Sequence, residues 1–139
     1  MTRTGKCNCG AVSATITGEP LVTRICWCRQ CQKLAGAGGM YNAMFRTEDV
    51  ELTGPVTSWS YTAASGNTLV HHRCAECGAP VGAQSSARPQ FHTIRVGFLD
   101  DSSGLAPKMA IWTSEKPDWV TIPPGIEIFE TQPAPPPAS

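Results

Sequence analysis

Seven cysteines are the residues of this chain whose type and spacing could do chemistry, and all of them fall into three short groups. The groups are a C-x-C at Cys7 and Cys9, a C-x-C-x-x-C at Cys26, Cys28 and Cys31, and a C-x-x-C at Cys74 and Cys77. Thiolates at these spacings are typical zinc ligands. Four of them complete one tetrahedral site and the other three leave a second site one ligand short. A closed site beside an open one is the usual contrast between structural and catalytic zinc.

The predicted closed site combines the C-x-C with the C-x-x-C, which are Cys7, Cys9, Cys74 and Cys77. In an extended C-x-C both side chains point the same way, about 6–7 Å apart at Cα, so both sulfurs can bind one ion. A glycine follows each group, and a positive φ there lets backbone N–H groups face the thiolates. We expect this zinc to link the first strand to the middle of the sheet and to support folding. Free buried cysteines are the competing interpretation, and they do not explain the paired spacing.

The predicted open site is the cysteine trio, a name kept below for Cys26, Cys28 and Cys31. Three thiolates within six residues can occupy one side of an ion without help from another segment. A fourth protein ligand could close the site, and the candidates are His71, His72 and His92. His71 and His72 point to opposite faces of a strand, so at most one of them can face the metal. Spacing alone does not decide between a site closed by histidine and one open to substrate.

Length, composition and charge limit the class of protein. A chain of 139 residues fits one domain with a real core, and its 16% charged residues and 12 prolines favour a mainly β fold. The formal charge of zero argues against a duplex nucleic acid as partner, because such binders rely on a basic surface. We see neither a secretory signal nor an apolar run of about 18 residues, so no membrane segment is expected. We therefore expect a cytoplasmic protein with reduced cysteines.

The elements that must position the cysteines are predicted to be short strands. Alternating apolar residues indicate strands at 11–17, 21–25, 40–46, 50–52, 57–62, 68–73, 80–84, 91–98 and 111–112, with helical turns at 29–35 and 115–120 and a brief turn at 47–49. The proline-rich end cannot donate enough backbone hydrogen bonds to join a sheet. The sequence thus predicts one domain over residues 1–130 and an extended or disordered tail over residues 131–139.

Five segments follow one known pattern in order, at residues 5–12, 26–33, 74–78, 96–100 and 111–119. They resemble the glutathione-dependent formaldehyde-activating family, which includes centromere-protein-V-like members. The resemblance implies a single-domain, zinc-stapled β-tent-like fold with two zinc ions. Cys7, Cys9, Cys74 and Cys77 would hold the structural ion, and the trio would hold the catalytic one. It also implies a carbon–sulfur lyase acting on S-(hydroxymethyl)glutathione or a related glutathione conjugate.

Two positions depart from the family pattern. The first trio of the family commonly reads Cys-His-Cys, and here Trp27 stands in place of the histidine. The family often has a histidine before its Ile-Trp pair, and here Ala110 stands there. Both changes remove a polar group and so bear on the substrate more than on the metals. Trp27 and Phe91 could wall the pocket, but we expect each to pack in the core.

Four basic residues lie near the cysteines in sequence and are candidate contacts for the glutathione carboxylates: Arg24, Arg29, Lys33 and Arg73. The alternative is that they are solvated cations that balance the zinc–thiolate charge.

Two rival functions remain open at this level. One is a non-catalytic zinc module that binds a protein or chromatin, and the other is a thiol-redox protein that uses Cys28 and Cys31. Neither the physiological thiol and aldehyde nor the oligomeric state follows from the residues, so a homo-oligomer stays open.

Overall fold

Eleven strands, one short helix and three 3₁₀ turns form the computed structural model, which describes residues 1–137. The strands are β1 (Thr2–Lys6), β2 (Ser13–Thr17), β3 (Val22–Cys26), β4 (Met40–Arg46), β5 (Val50–Thr53), β6 (Val56–Thr62), β7 (Thr68–Cys74), β8 (Pro80–Ser85), β9 (Phe91–Arg95), β10 (Met109–Ile111) and β11 (Glu127–Ile128). The helix is α1 (Arg29–Ala35), and the 3₁₀ turns are Thr47–Asp49, Val96–Phe98 and Thr113–Glu115. The prediction of a mainly β single domain is confirmed.

These strands form two sheets. The smaller has the order β1-β2-β5, and the larger has the order β11-β10-β3-β4-β9-β8-β7-β6. Most neighbours pair antiparallel, whereas β10 runs parallel to both β3 and β11. The parallel pairing of β10 with β3 places Ile111 directly beside Cys26, the first cysteine of the trio.

One face of the larger sheet carries the main core. Ala43 lies opposite Ile94, and Ile94 lies opposite Gly82, so these positions share a face. Phe45 and Ile94 are fully buried there, in one cluster with Ile16 of the smaller sheet. Because successive side chains of a strand point to opposite faces, the intervening residues of β3, β4 and β9 point away from this core. The residues of the candidate site come from that second face.

The helix α1 begins at the trio and is fixed by it. Cys28 is the N-cap, and its Sγ accepts a hydrogen bond from the N–H of Cys31 at 3.3 Å. A thiolate here satisfies one of the free N–H groups of the first helical turn. Gln32 is buried and donates to the carbonyl oxygens of Trp27 at 2.6 Å and Glu115 at 2.8 Å. These contacts fix the start of α1, which carries Cys28 and Cys31.

The structure corrects several predicted elements. The strand predicted over 91–98 ends at Arg95, because residues 96–98 turn into a 3₁₀ helix. The strand predicted over 111–112 ends at Ile111, since Trp112 is left-handed with φ of 56°. The helical turn predicted over 115–120 occurs at Thr113–Glu115 instead. Strands β1 and β11 were not predicted at all, because neither has an apolar alternation.

Among the residues described, the structure has no helix long and apolar enough to span a membrane.

Candidate metal centres and the cavity beside them

The four cysteines predicted to share one ion lie together in the structure. They are Cys7, Cys9, Cys74 and Cys77, and all four Sγ atoms lie within 4.8 Å of one another. The Sγ of Cys9 is 3.6 Å from that of Cys7 and 3.8 Å from that of Cys74. Sulfurs bound tetrahedrally at about 2.3 Å from an ion are about 3.8 Å apart. The four-cysteine cluster therefore has the dimensions of a closed metal site.

Backbone N–H groups stabilise negative charge in this cluster. The N–H of Val12 donates to the Sγ of Cys7 at 3.2 Å, and two N–H groups of the 76–77 turn donate to the Sγ of Cys74 at 3.4 Å. The hydrogen bond from Val12 lowers the pKa of Cys7 to about 6. Gly10 and Gly78 have φ of 82° and 78°, which confirms the predicted positive φ after each group.

Two expectations about this cluster were wrong. Cys7 and Cys9 do not lie on an extended strand but in the turn between β1 and β2, where Gly10 donates to the carbonyl oxygen of Cys7 at 3.1 Å. The cluster also does not connect two parts of one sheet. Cys7 follows β1 of the smaller sheet and Cys74 ends β7 of the larger one. An ion there would bridge the two sheets.

The trio forms the second cluster. Cys26 is the last residue of β3, Cys28 caps α1 and Cys31 lies in its first turn, and the three Sγ atoms lie within 4.8 Å of one another. Contacts with Cys26 and Cys31 lower the pKa of Cys28 to about 3, whereas the same crowding raises the pKa of Cys26 to about 12 and also raises that of Cys31. When one of these sulfurs is ionised, its negative charge opposes ionisation of the other two. A bound cation would remove this repulsion.

The histidines do not close this second cluster. Within residues 1–137, no histidine, carboxylate or fourth cysteine joins the trio within 4.8 Å. His72 and His92 lie on the other face, with ring centroids 5.7 Å apart, and Ser58 is 2.8 Å from Nδ1 of His72. His71 shares the face of the trio. His71 and His72 thus point to opposite faces, as predicted.

A cavity of about 590 Å³ lies next to the trio, whose three residues all line it. Drug-sized ligands bind in cavities of about 300–1,000 Å³. Its wall also includes polar and charged side chains from six strands, the loops between them and one 3₁₀ turn: Arg24, Asn42, Tyr61, Asn67, His71, Gln84, Arg88, Thr93, Arg95 and Glu115. A cluster of three cysteines that could hold a metal ion therefore adjoins a space large enough for a small peptide.

Two cations are buried in this cavity. Arg24 is 9% exposed and Arg95 is 4% exposed. Neither belongs to any of the ion pairs found in the described part of the chain. Burial lowers the pKa of each, while the negative trio sulfurs act in the opposite direction. The cavity therefore combines a negative cluster with positive groups that have no carboxylate of their own.

Arg95 organises the polar part of the wall. It donates through Nη1 to Oδ1 of Asn42 at 2.9 Å and through Nη2 to Nδ1 of His71 at 2.8 Å. The ring of His71 is stacked beside those of Trp59 and Tyr61, at centroid distances of 5.7 Å each. Arg24, Asn42 and Arg95 occupy directly opposite positions on three adjacent strands. This row points into the cavity as one unit.

Of the four basic residues predicted as substrate contacts, only Arg24 lines the cavity. Arg29 and Lys33 are exposed on α1, where Arg29 donates to Oε1 of Gln32 at 2.6 Å, and Arg73 is exposed on β7. Prediction from sequence missed the other two cavity arginines, Arg88 and Arg95. A cation inside the alternating strand 91–95 was the one available signal for Arg95.

Comparison with known proteins agrees with this geometry. A family model described as glutathione-dependent formaldehyde-activating enzyme matches residues 2–115. The chain belongs to this family. That result confirms the resemblance seen in the cysteine pattern.

Two relatives extend the comparison. A Halomonas elongata protein, provisionally named a glutathione-dependent formaldehyde-activating enzyme, is 25% identical over 124 residues, which are 85% of this chain and 79% of that protein. A crystal structure of a Rhodobacter sphaeroides protein matches with a TM-score of 0.57 at 23% identity, and the match covers 75% of this chain and 91% of that one. The second likeness supports the fold alone.

The two departures from the family pattern lie side by side behind the site. Trp27 is 4% exposed and Ala110 is fully buried, and both pack in one apolar cluster with Ile25. Ile111 and Cys26, the neighbours on the opposite face, line the cavity instead. Trp27 is thus a core residue, as expected, whereas Phe91 lines the cavity although it is buried. Neither Trp27 nor Ala110 is part of the cavity wall.

The C-terminal segment supplies part of the cavity wall although it lies beyond the family match. Phe129 packs against the trio cluster, and Thr131 and Gln132 line the cavity. Trp112 donates through Nε1 to Oε1 of Gln132 at 3.1 Å. The predicted division at residues 130 and 131 stays a prediction, and Ala138 and Ser139 of the predicted tail lie outside the described residues.

Proposed function

We propose that this protein is a zinc-dependent carbon–sulfur lyase that acts on a thiol–aldehyde adduct. S-(hydroxymethyl)glutathione is the first candidate, and the reverse reaction joins glutathione to formaldehyde. The observation that carries the proposal is the position of the three-thiolate cluster in the wall of a cavity that also contains unpaired arginines. Family membership supports the same reaction class. We place the activity in the cytoplasm, where thiols stay reduced.

Both cysteine clusters fit zinc. Sets made only of thiolates favour zinc over hard cations such as magnesium or calcium. The four-cysteine cluster fills all four positions and so suits a structural ion. The trio fills three and suits the catalytic one, since catalytic zinc keeps one position for water or substrate. When bound there, zinc would stabilise the substrate sulfur as a thiolate.

The residues of the chain would then bind and orient the rest of the substrate. Glutathione carries two carboxylates, and the guanidinium groups of Arg24 and Arg88 can bind them through paired hydrogen bonds. Arg95 adds positive charge deeper in the cavity. In the cleavage direction the C–S bond breaks and its electron pair stays with sulfur. The hydroxyl proton passes to water as the carbonyl forms.

A titration tests this function directly. Calorimetry of the protein with two zinc ions should show saturable glutathione binding, and formaldehyde should change the heat only when glutathione is present. Absence of binding up to several millimolar would rule out the glutathione assignment. Two bound zinc ions without any thiol binding would favour the non-catalytic module instead.

A further inference from the structure

His71 has one favoured ring tautomer, and neither cysteine cluster determines it. Its Nδ1 lies 2.8 Å from Nη2 of Arg95. A guanidinium group can only donate hydrogen bonds, so Nδ1 accepts and the ring proton of neutral His71 lies on Nε2. In this tautomer the buried Nε2 of His71, a residue of the cavity wall, carries an N–H donor.

That donor has no acceptor in the protein. Five buried side-chain nitrogens lack a hydrogen-bond partner within residues 1–137, and they belong to Trp27, His71, His72, His92 and Arg95. Only His71 and Arg95 of this set line the cavity. Because buried donors in proteins are nearly always paired, an unpartnered donor on a residue of the cavity wall suits an acceptor that arrives with the ligand.

The surroundings keep this donor neutral and rigid. His71 is 8% exposed, and burial together with the charge of Arg95 lowers its pKa to about 4. The imidazole is therefore uncharged near neutral pH. Stacking with Trp59 and Tyr61 and the bond from Arg95 to Asn42 restrict its movement. A rigid neutral donor can stabilise charge that develops on an oxygen without first having to reorient.

We propose that His71 is a catalytic residue that donates a hydrogen bond through Nε2 to the oxygen of the thiol–aldehyde adduct. Arg95 is a positioning residue that holds the donor tautomer. This inference rests on the proposed function. As sulfur forms the C–S bond, the carbonyl π pair moves to oxygen, and the oxygen takes from water the proton that the thiol released. His71 keeps its own proton and stabilises the negative charge while it lasts.

A comparison of variants tests the proposal. The zinc-loaded wild type, His71→Ala, His71→Gln and the control His92→Ala are assayed by exchange NMR with glutathione and ¹³C-formaldehyde. We expect His71→Ala to lower the catalysed exchange rate about 100-fold, as loss of one oxyanion donor does in other enzymes. Its glutathione affinity should stay within about twofold of the wild type, because the proposed contact forms with the aldehyde oxygen. His71→Gln keeps an N–H near the position of Nε2 and should recover at least about tenfold, and His92→Ala should match the wild type.

Two results would overturn the role of His71. An unchanged rate in His71→Ala shows that the donor is not used. Loss of one zinc ion from that variant shows that His71 is a metal ligand instead.

The tautomer provides a test that does not depend on activity. Long-range ¹H–¹⁵N NMR of the zinc-loaded protein should show the proton of His71 on Nε2, and Arg95→Ala should shift the population toward Nδ1. An Nδ1–H tautomer in the wild type overturns the proposal. If the wild type neither binds glutathione nor speeds the exchange, the lyase assignment fails, and the tautomer still decides whether His71 presents the donor.

Discussion

The two cysteine clusters use the same side chain for different tasks. The four-cysteine cluster draws its ligands from two sheets, and backbone N–H groups surround its sulfurs. The trio draws all its ligands from one stretch of six residues and lies beside a cavity lined by Arg24 and Arg95. When the ligands are distant in sequence, metal binding links separate parts of the fold and so contributes to stability. When the ligands are adjacent in sequence, other segments are free to form the walls around the metal. The difference separates stability from reactivity within one small domain.

The largest effect is expected from removing a ligand of the four-cysteine cluster. Cys74→Ser should cost one zinc ion and at least about 3 kcal/mol of unfolding free energy, because structural zinc contributes folding energy directly. Metal analysis combined with urea unfolding measures both. If the variant is as stable as the wild type, the four-cysteine cluster does not have a structural role.

Removing a ligand of the trio should separate function from stability. Cys28→Ser should abolish saturable glutathione binding and lower activity at least about 1,000-fold while the other zinc ion stays bound. Its unfolding free energy should fall by less than half of the loss in Cys74→Ser, since all three ligands come from one stretch of six residues and the ion does not join two sheets. Calorimetry, metal analysis and urea unfolding on both variants check the contrast. Equal losses of stability would show that both ions are structural.

A smaller effect is expected at the buried cations. Arg24→Gln should weaken glutathione binding about tenfold, equivalent to about 1.4 kcal/mol, through loss of one charge-assisted contact. Arg73→Gln is the matched control, because Arg73 is exposed outside the cavity. Isothermal titration of both variants measures the difference. If Arg73→Gln weakens binding as much, the effect is one of overall charge.

The smallest effect is expected at the C-terminal wall. Gln132→Ala removes the acceptor for Trp112 and should weaken glutathione binding about two- to fivefold, in keeping with loss of one neutral hydrogen bond. Binding of 2-mercaptoethanol, which reaches only the metal, should not change. Titration with both thiols measures the ratio. Equal weakening of both would mean that the wall supports the trio and not the substrate.

Much of the chemistry could be predicted from the sequence because the signal is local. The spacing of Cys26, Cys28 and Cys31 determines which sulfurs can meet, and the helix at Arg29–Ala35 and the strand at Met40–Arg46 match their predicted bounds. The family pattern also lies in these local groups.

The surroundings of the trio could not be predicted in the same way. Arg29 and Lys33 lie near it in sequence and outside the cavity, whereas Arg95 lies 64 residues after Cys31 and inside it. Strand pairing brings Arg95 opposite Asn42, and neither spacing nor composition specifies that register. Strand β1 was also missed, because Thr2–Lys6 carries no apolar side chain and is recognisable as a strand only from its pairing with β2.

The part of the cavity wall formed by Thr131 and Gln132 has a consequence for how substrate range can change. The seven cysteines of the two clusters end at Cys77, and the family match ends at Glu115. Substitutions at Thr131 and Gln132 can therefore reshape this part of the cavity wall without replacing a cysteine of either cluster. We expect the terminal segment to be the part of this architecture in which new thiol specificities arise with the lowest risk to folding.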